Sequence, residues 1–201
     1  IRAVYRADPL ARYPMYNWNH LPPSAASIVH PHVQVLVDRR ETPYLEQLLE
    51  KGRGYYERTG RNYWQDLISE EERRGERYIG RQGSVTVLAS YAPQGNREVL
   101  FLFEAHNLLD LDEGQVYDFA LCLERVLQGY KRMGVTSFNL TTFSAPLGER
   151  VDYYTLHAKV ISRPLLRPYY TNDTGFLERF HYEAVIEACP EDVAQELQSF
   201  F

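Results

Sequence analysis

The segment Val29-His30-Pro31-His32-Val33-Gln34-Val35-Leu36-Val37, closed by Asp38, alternates apolar and polar side chains and reads as a β-strand. A strand sends successive side chains to opposite faces. Val29, Pro31, Val33, Val35 and Val37 are therefore expected on a core face, and His30, His32 and Gln34 on the other. Aligned hydrogen-bonding side chains are costly in a dry core, so the histidine face is expected to look into a cleft. Pro31 has no amide to give a ladder, which predicts a sheet edge or a local break at that point. Just upstream, Pro22-Pro23-Ser24-Ala25-Ala26-Ser27 offers backbone amides and two hydroxyls, a cradle for a phosphate beside the histidines.

Outward from this stretch the chain divides into short strands and longer helices. Residues 1–28 are extended and rich in loop formers. Thr42 caps a helix with Pro43 at its first position and Leu45, Leu48 and Leu49 as its apolar stripe. A second helix covers Tyr63 to Glu72, and the run Glu70 to Arg74 is expected to be a solvated face. Strands are expected at Ser84 to Tyr91, Glu98 to Phe103, Ser137 to Ser144 and Tyr153 to Arg163. The clearest helix runs from about Gly114 to Arg132, with Asp112 and Gln115 spaced as a capping box. Pro190 opens a C-terminal helix. Strands in pairs around a long helix predict an α+β protein, an antiparallel sheet with helices packed on one side.

Composition narrows the function classes. The 201 residues carry 22 Lys+Arg against 27 Asp+Glu, a formal charge of -5, which argues against a general nucleic-acid or anionic-membrane binder. No apolar run approaches the roughly 18 residues of a membrane span. Cys122 and Cys189 lie far apart and form no C-x-x-C pair, so a disulfide framework and a self-contained thiolate metal site are not indicated. A cytoplasmic protein is the expectation. The chain opens on Ile1, directly into a folded pattern, and is expected to be part of something longer.

The chemistry concentrates in the His-Pro-His-Val-Gln run. A neutral imidazole is a competent nucleophile, and its phosphoramidate is labile enough to pass a phosphoryl group onward. His32 as nucleophile, with Gln34 donating to a nonbridging phosphate oxygen, meets both needs of such a transfer. Taken alone, two alternating histidines also fit a pair making ordinary hydrogen bonds. His20, His106 and His181 are expected to be loop or surface residues.

Together, Asn19, Ser24, Ser27, His30, Pro31, His32 and Gln34 resemble the active-site segment of galactose-1-phosphate uridylyltransferase and its relatives, the transferase branch of the histidine-triad superfamily. The likeness continues through Phe103-Glu104-Ala105-His106, Ser144-Ala145-Pro146, Leu156-His157-Ala158-Lys159, Pro164-Leu165-Leu166-Arg167 and Tyr182-Glu183. Val33 stands where the galactose enzymes usually have glycine. The resemblance covers essentially the whole chain but corresponds to the family's later portion. It implies that residues 1–40 close a first histidine-triad-like half, with its opening strands missing, and that residues 41–201 form the second half.

The resemblance also implies roles. His32 would take up a nucleoside monophosphate, probed by Gln34, Asn19 and Ser27 as phosphate-binding residues, while Tyr182, Glu183 and Lys159 would contact the sugar. The implied reaction moves a nucleoside monophosphate, UMP in the first instance, between a nucleotide sugar and a hexose 1-phosphate. Its partners are those two substrates, and the implied assembly is a homodimer. The rivals are a phosphorylase or adenylyltransferase acting on ADP-sugars or dinucleoside polyphosphates, and a noncatalytic nucleotide-binding or dimerisation module. No cofactor is certain. A zinc site would use His30 only with ligands from outside this chain. The resemblance implies a second metal held by histidines at positions matching Phe143, His157 and Lys159, of which only His157 is a histidine here, and by a glutamate near Glu46; Lys159 is expected to supply a fixed charge in place of that metal, paired with the glutamate or with a substrate phosphate.

Overall fold

A computed structural model describes residues 1–169 and 172–201. Its strands are β1 (Tyr13–His20), β2 (Gln34–Asp38), β3 (Tyr78–Gln82), β4 (Val85–Ala89), β5 (Val99–Phe103), β6 (Phe138–Phe143) and β7 (His157–Ser162). They form one seven-stranded sheet in the order β2-β1-β6-β7-β5-β4-β3, antiparallel throughout. The helices are α1 (Arg2–Ala7), α2 (Pro43–Thr59), α3 (Tyr63–Arg74), α4 (Glu113–Arg132) and α5 (Pro190–Gln198). The expected α+β class with an antiparallel sheet is what the chain adopts. Strands from the first 40 residues and from the remainder share this one sheet, because β1 hydrogen-bonds to β6.

Burial follows the strand period. In β4 and β5 every residue is buried, but alternate side chains enter different cores. Val85, Val87, Val99, Phe101 and Phe103 pack with Val126 and Tyr130 of α4 and Val193 and Leu197 of α5. Leu88, Leu100 and Leu102 turn to the opposite face and meet Leu45 and Leu49 of α2 and Trp64 of α3. The long helix α4 starts where its chemistry dictates: Asp112 accepts from the Gln115 amide at 2.8 Å, and Gln115 returns a bond to the Asp112 amide at 3.1 Å. Thr42 likewise caps α2 through the Leu45 amide at 3.3 Å. Gly129 has no side chain because Leu197 of α5 occupies that space.

Three local expectations are corrected. The strand expected from Val29 begins only at Gln34. Residues 28–33 are irregular, and Val29, Pro31, Val33 and Val35 are exposed rather than core, with Val37 half-buried. The reason is positional: among the described residues β2 pairs only with β1 at the sheet's edge, Pro31 cannot donate to extend the ladder, and neither apolar cluster reaches over the valines. The segment assigned to loop contains β1, whose Asn17 faces Gln34 and whose Tyr13 faces Asp38. Finally, the run Glu70 to Arg74 is only partly a solvated face. Glu70 binds Arg73 and Arg74 in the open, but Glu71 is buried against Arg77 at 2.9 Å.

Candidate active site

The central geometric fact is at His32. Its Nδ1 lies 3.0 Å from the carbonyl oxygen of His30. A carbonyl only accepts, so Nδ1 carries the proton and Nε2 keeps its lone pair. Pro31 between them favours an extended His30, which brings that carbonyl back to the ring two residues on. The ring is half-buried and the surrounding segment exposed, so the nitrogen that would react is not sealed in the hydrophobic interior. His30 itself is exposed.

Gln34 starts β2 and leads into a polar row across the sheet. It pairs in register with Asn17, Asn17 with Thr141, and Thr141 with Lys159. Directly opposed residues share a sheet face, and strands lie about 4.8 Å apart. Four polar side chains thus span β2, β1, β6 and β7 on one face, with Thr141 Oγ1 donating to Asn17 Oδ1 at 2.6 Å. Beside this row, Asn19 faces Asn139. Asn139 donates to Asn19 Oδ1 at 2.6 Å and to the Ser24 carbonyl at 2.9 Å. Asn19 therefore sits on the same face as Gln34.

The Pro22–Ser24 segment forms a single 3-10 turn. Ser24 is buried and its hydroxyl donates to the Leu21 carbonyl at 2.7 Å, so only the exposed Ser27 hydroxyl of this segment remains open to a ligand. The expected pair of hydroxyls is reduced to one. His20, expected in a loop, lies on β1, stacked on Phe138 at 4.9 Å, and burial lowers its pKa. His106 donates from Nδ1 to the Tyr154 carbonyl at 2.8 Å, which fixes the proton on Nδ1. His181 is exposed in the turn Leu177–His181. Tyr182 and Glu183 follow on the same exposed segment, Tyr182 being 90% exposed.

Lys159 is a fixed charge, but its partner differs from the expected glutamate. Glu46 is exposed. The ammonium instead pairs with Glu98 at 2.9 Å and also donates to Tyr44 and Gln94 at 3.2 and 3.1 Å. Burial works against the charged ammonium, but Glu98 and Tyr44 outweigh it and raise its pKa. With its three donors engaged within the protein, the side chain is a structural cation at the far end of the polar row. Beyond it, a cavity of about 560 Å³ opens between α2, α3 and the sheet, lined in part by Tyr44, Tyr63, Trp64 and Leu100.

The donor set does not fit a resident metal at the positions matching the family's second site. His157 is fully buried, its Nδ1 bonded to the Thr155 carbonyl at 3.0 Å, its ring between Trp64 at 4.3 Å and Phe143 at 5.1 Å. Burial pushes its pKa down to about 3. One imidazole beside an aromatic ring and an ammonium is not a metal site. Among the described residues, no group of three or more His, Cys, Asp or Glu side chains is placed to hold an ion.

Asn17, Asn139 and Thr141 were not foreseen as site residues. Their signal was present: Asn139 and Thr141 alternate with Phe138, Leu140 and Thr142 along β6, whose buried positions are the latter three.

Comparison with known proteins supports the fold. No protein-family model matches the chain. An uncharacterized protein of Archaeoglobus fulgidus is 30% identical over 190 residues, covering 94% of this chain and 56% of that protein. A solved uridylyltransferase structure superposes with a TM-score of 0.85 at 20% identity, over 99% of this chain and 64% of its own. An ADP-glucose phosphorylase from Arabidopsis thaliana, with bound ADP-glucose, superposes with a TM-score of 0.81 at 18% identity, over 98% and 62%. The chain thus has the fold of this uridylyltransferase and this ADP-glucose phosphorylase, and it spans 56%, 64% and 62% of the lengths of these three proteins.

Proposed function

We propose that the protein transfers a nucleoside monophosphate between a nucleotide sugar and a hexose 1-phosphate through a covalent bond to His32. The observation that carries this reading is the 3.0 Å contact from His32 Nδ1 to the His30 carbonyl, which leaves Nε2 as a free nucleophile. In the first half-reaction the Nε2 lone pair attacks the α-phosphorus, and the bond to the sugar phosphate breaks with the electron pair leaving on its oxygen. In the imidazolium that forms, Nδ1 keeps its proton and donates it to the His30 carbonyl, which stabilises the positive charge. In the second, a phosphate oxygen of the incoming hexose 1-phosphate attacks the same phosphorus, and the P–N bond breaks to restore neutral His32.

Gln34, Asn19 and Ser27 donate to the nonbridging oxygens of the transferring phosphate. Tyr182 and Glu183 contact the sugar, and they do so from a second copy of the chain. What supports that assignment is their exposure, shared with Phe176 at 68% and Phe180 at 77%, an apolar stretch suited to an interface. Uridine is the base we favour, from the sequence resemblance. The likeness to ADP-glucose phosphorylase supports a second reading, in which the donor is an ADP-sugar and inorganic phosphate is the acceptor.

Isotope exchange tests the reaction. Labelled glucose 1-phosphate should enter UDP-glucose in the absence of any second sugar phosphate, because the first half-reaction is reversible by itself. Exchange into ADP-glucose instead would select the second reading. No exchange with either, combined with tight binding of an intact nucleotide sugar, would leave a noncatalytic binding module.

A further inference from the structure

We propose that Asn139 is a positioning residue which, oriented by Arg163, fixes the direction in which the Asn19 amide donates to a bound phosphate. This rests on the phosphate role proposed above for Asn19.

Arg163 is a residue that can only donate. Arg163 Nη1 lies 3.0 Å from one end of the Asn139 amide, and a guanidinium has no acceptor. That end of the amide is therefore the oxygen. The amino end must face the other way, where it meets Asn19 Oδ1 at 2.6 Å and the Ser24 carbonyl at 2.9 Å. Asn19 is thereby obliged to present its oxygen to Asn139. Its own amino group is turned away from Asn139 and remains free to donate to an anion. One arginine thus determines the orientation of two amides in succession, each of which could otherwise flip.

The relay is anchored at both ends. Arg163 follows directly on β7, where its backbone amide donates to the Ser137 carbonyl at 2.9 Å. Its Nη2 pairs with Asp173 at 2.7 Å, with the two side chains only 20% and 13% exposed. Asn139 and Asn19 are directly opposed across β6 and β1, so their side chains need no loop movement to meet. The Ser24 carbonyl belongs to a turn bounded by Leu21 at φ 67° and Ala25 at φ 66°. Non-glycine residues enter that left-handed region only when surrounding contacts hold them there. The same Asn139 amino group therefore orients Asn19 and clamps the turn leading to Ser27.

Asn139→Asp is the discriminating variant because it preserves shape. One carboxylate oxygen keeps Arg163, while the other faces Asn19, whose amide must then reverse to donate toward it. Its oxygen would be turned toward the phosphate. The single-turnover rate of His32 labelling by UDP-glucose should fall about 10- to 100-fold, the loss of a hydrogen bond to a charged group. Arg163→Lys, which still only donates, should retain most of the rate; Arg163→Gln, which can accept, should lose it. In an Asn19→Ala background, Asn139→Asp should cost clearly less than it does in the wild type, the remainder being its lost contact with the Ser24 carbonyl, whereas a merely structural role for Asn139 would leave its cost unchanged. Side-chain amide resonances of Asn19 report its reorientation directly. If the wild type labels His32 and Asn139→Asp labels it equally fast, or if its effect persists undiminished without Asn19, the relay is wrong while the transferase reading stands. If the wild type takes no label, the transferase reading fails and the inference with it.

Discussion

Lys159 and Glu98 form an ion pair of 2.9 Å with only 11% and 1% of their side chains exposed, at the point where the polar row from Gln34 meets the apolar face that carries Leu100. Glu98 is also held by the Gln94 amide at 2.8 Å. Breaking such a pair on one side leaves a buried charge uncompensated. Lys159→Met should therefore destabilise the protein by about 3–5 kcal/mol, read as a lower urea midpoint. Adding Glu98→Leu should recover much of that loss. A single variant as stable as the wild type would show that the pair is open to water.

The buried His157 predicts a pH dependence with a definite sign. Burial lowers its pKa from 6.5 to about 3 in the folded chain, whereas the unfolded chain titrates near the ordinary value. Between those values the unfolded state binds the additional proton, so stability is present above about pH 6.5 and is lost as pH falls toward 3. His157→Phe fits the space between Trp64 and Phe143 and cannot take up that proton. The difference in unfolding free energy between wild type and variant should change with pH in this window, approaching roughly 1.4 kcal/mol per pH unit. A constant difference from pH 7 to 4 would mean that the ring is not shielded from solvent.

Close helix packing makes a third prediction. A Cβ on Gly129 would overlap Leu197, so Gly129→Ala should destabilise by about 1–3 kcal/mol despite alanine's better helix propensity. Leu197→Ala in the same chain should be less than additive, because the smaller residue makes room. Additive losses would place the two helices farther apart than described.

His157 also tests the metal question. Protein stripped by chelation and then given Zn²⁺ or Fe²⁺ should melt at an unchanged temperature, and crystals should show no anomalous scatterer at His157. A transition metal bound there would contradict the ammonium role assigned to Lys159.

Much of this fold was legible in the chain because local signals and global packing agreed. Asp112 and Gln115 marked the start of α4, Thr42 and Pro43 that of α2, and the alternation of β4 followed from Val85, Val87 and Ala89. β1 was hidden by Pro14 and its polar residues, which read as loop although they pair across two neighbours. β3 was hidden by brevity and by Gly80, which packs beneath Phe201 and lies at a register shift. At the histidine segment the two-residue period was real, but periodicity does not reveal whether a helix or a second layer covers the apolar face; without one, the valines face solvent. Likewise, the partner of Lys159 depends on which strands become neighbours. Glu98 precedes β5 and reaches the lysine only because β5 pairs with β7.

The central claim is tested most directly by incubating the protein with UDP-glucose, quenching, and mapping any adduct by mass spectrometry together with its acid lability. One uridylyl group, or an adenylyl group from ADP-glucose, should be attached to His32 through an acid-labile P–N bond, removed by added hexose 1-phosphate or phosphate and absent in His32→Ala. An unmodified His32 in protein that nevertheless turns over a nucleotide sugar would contradict it.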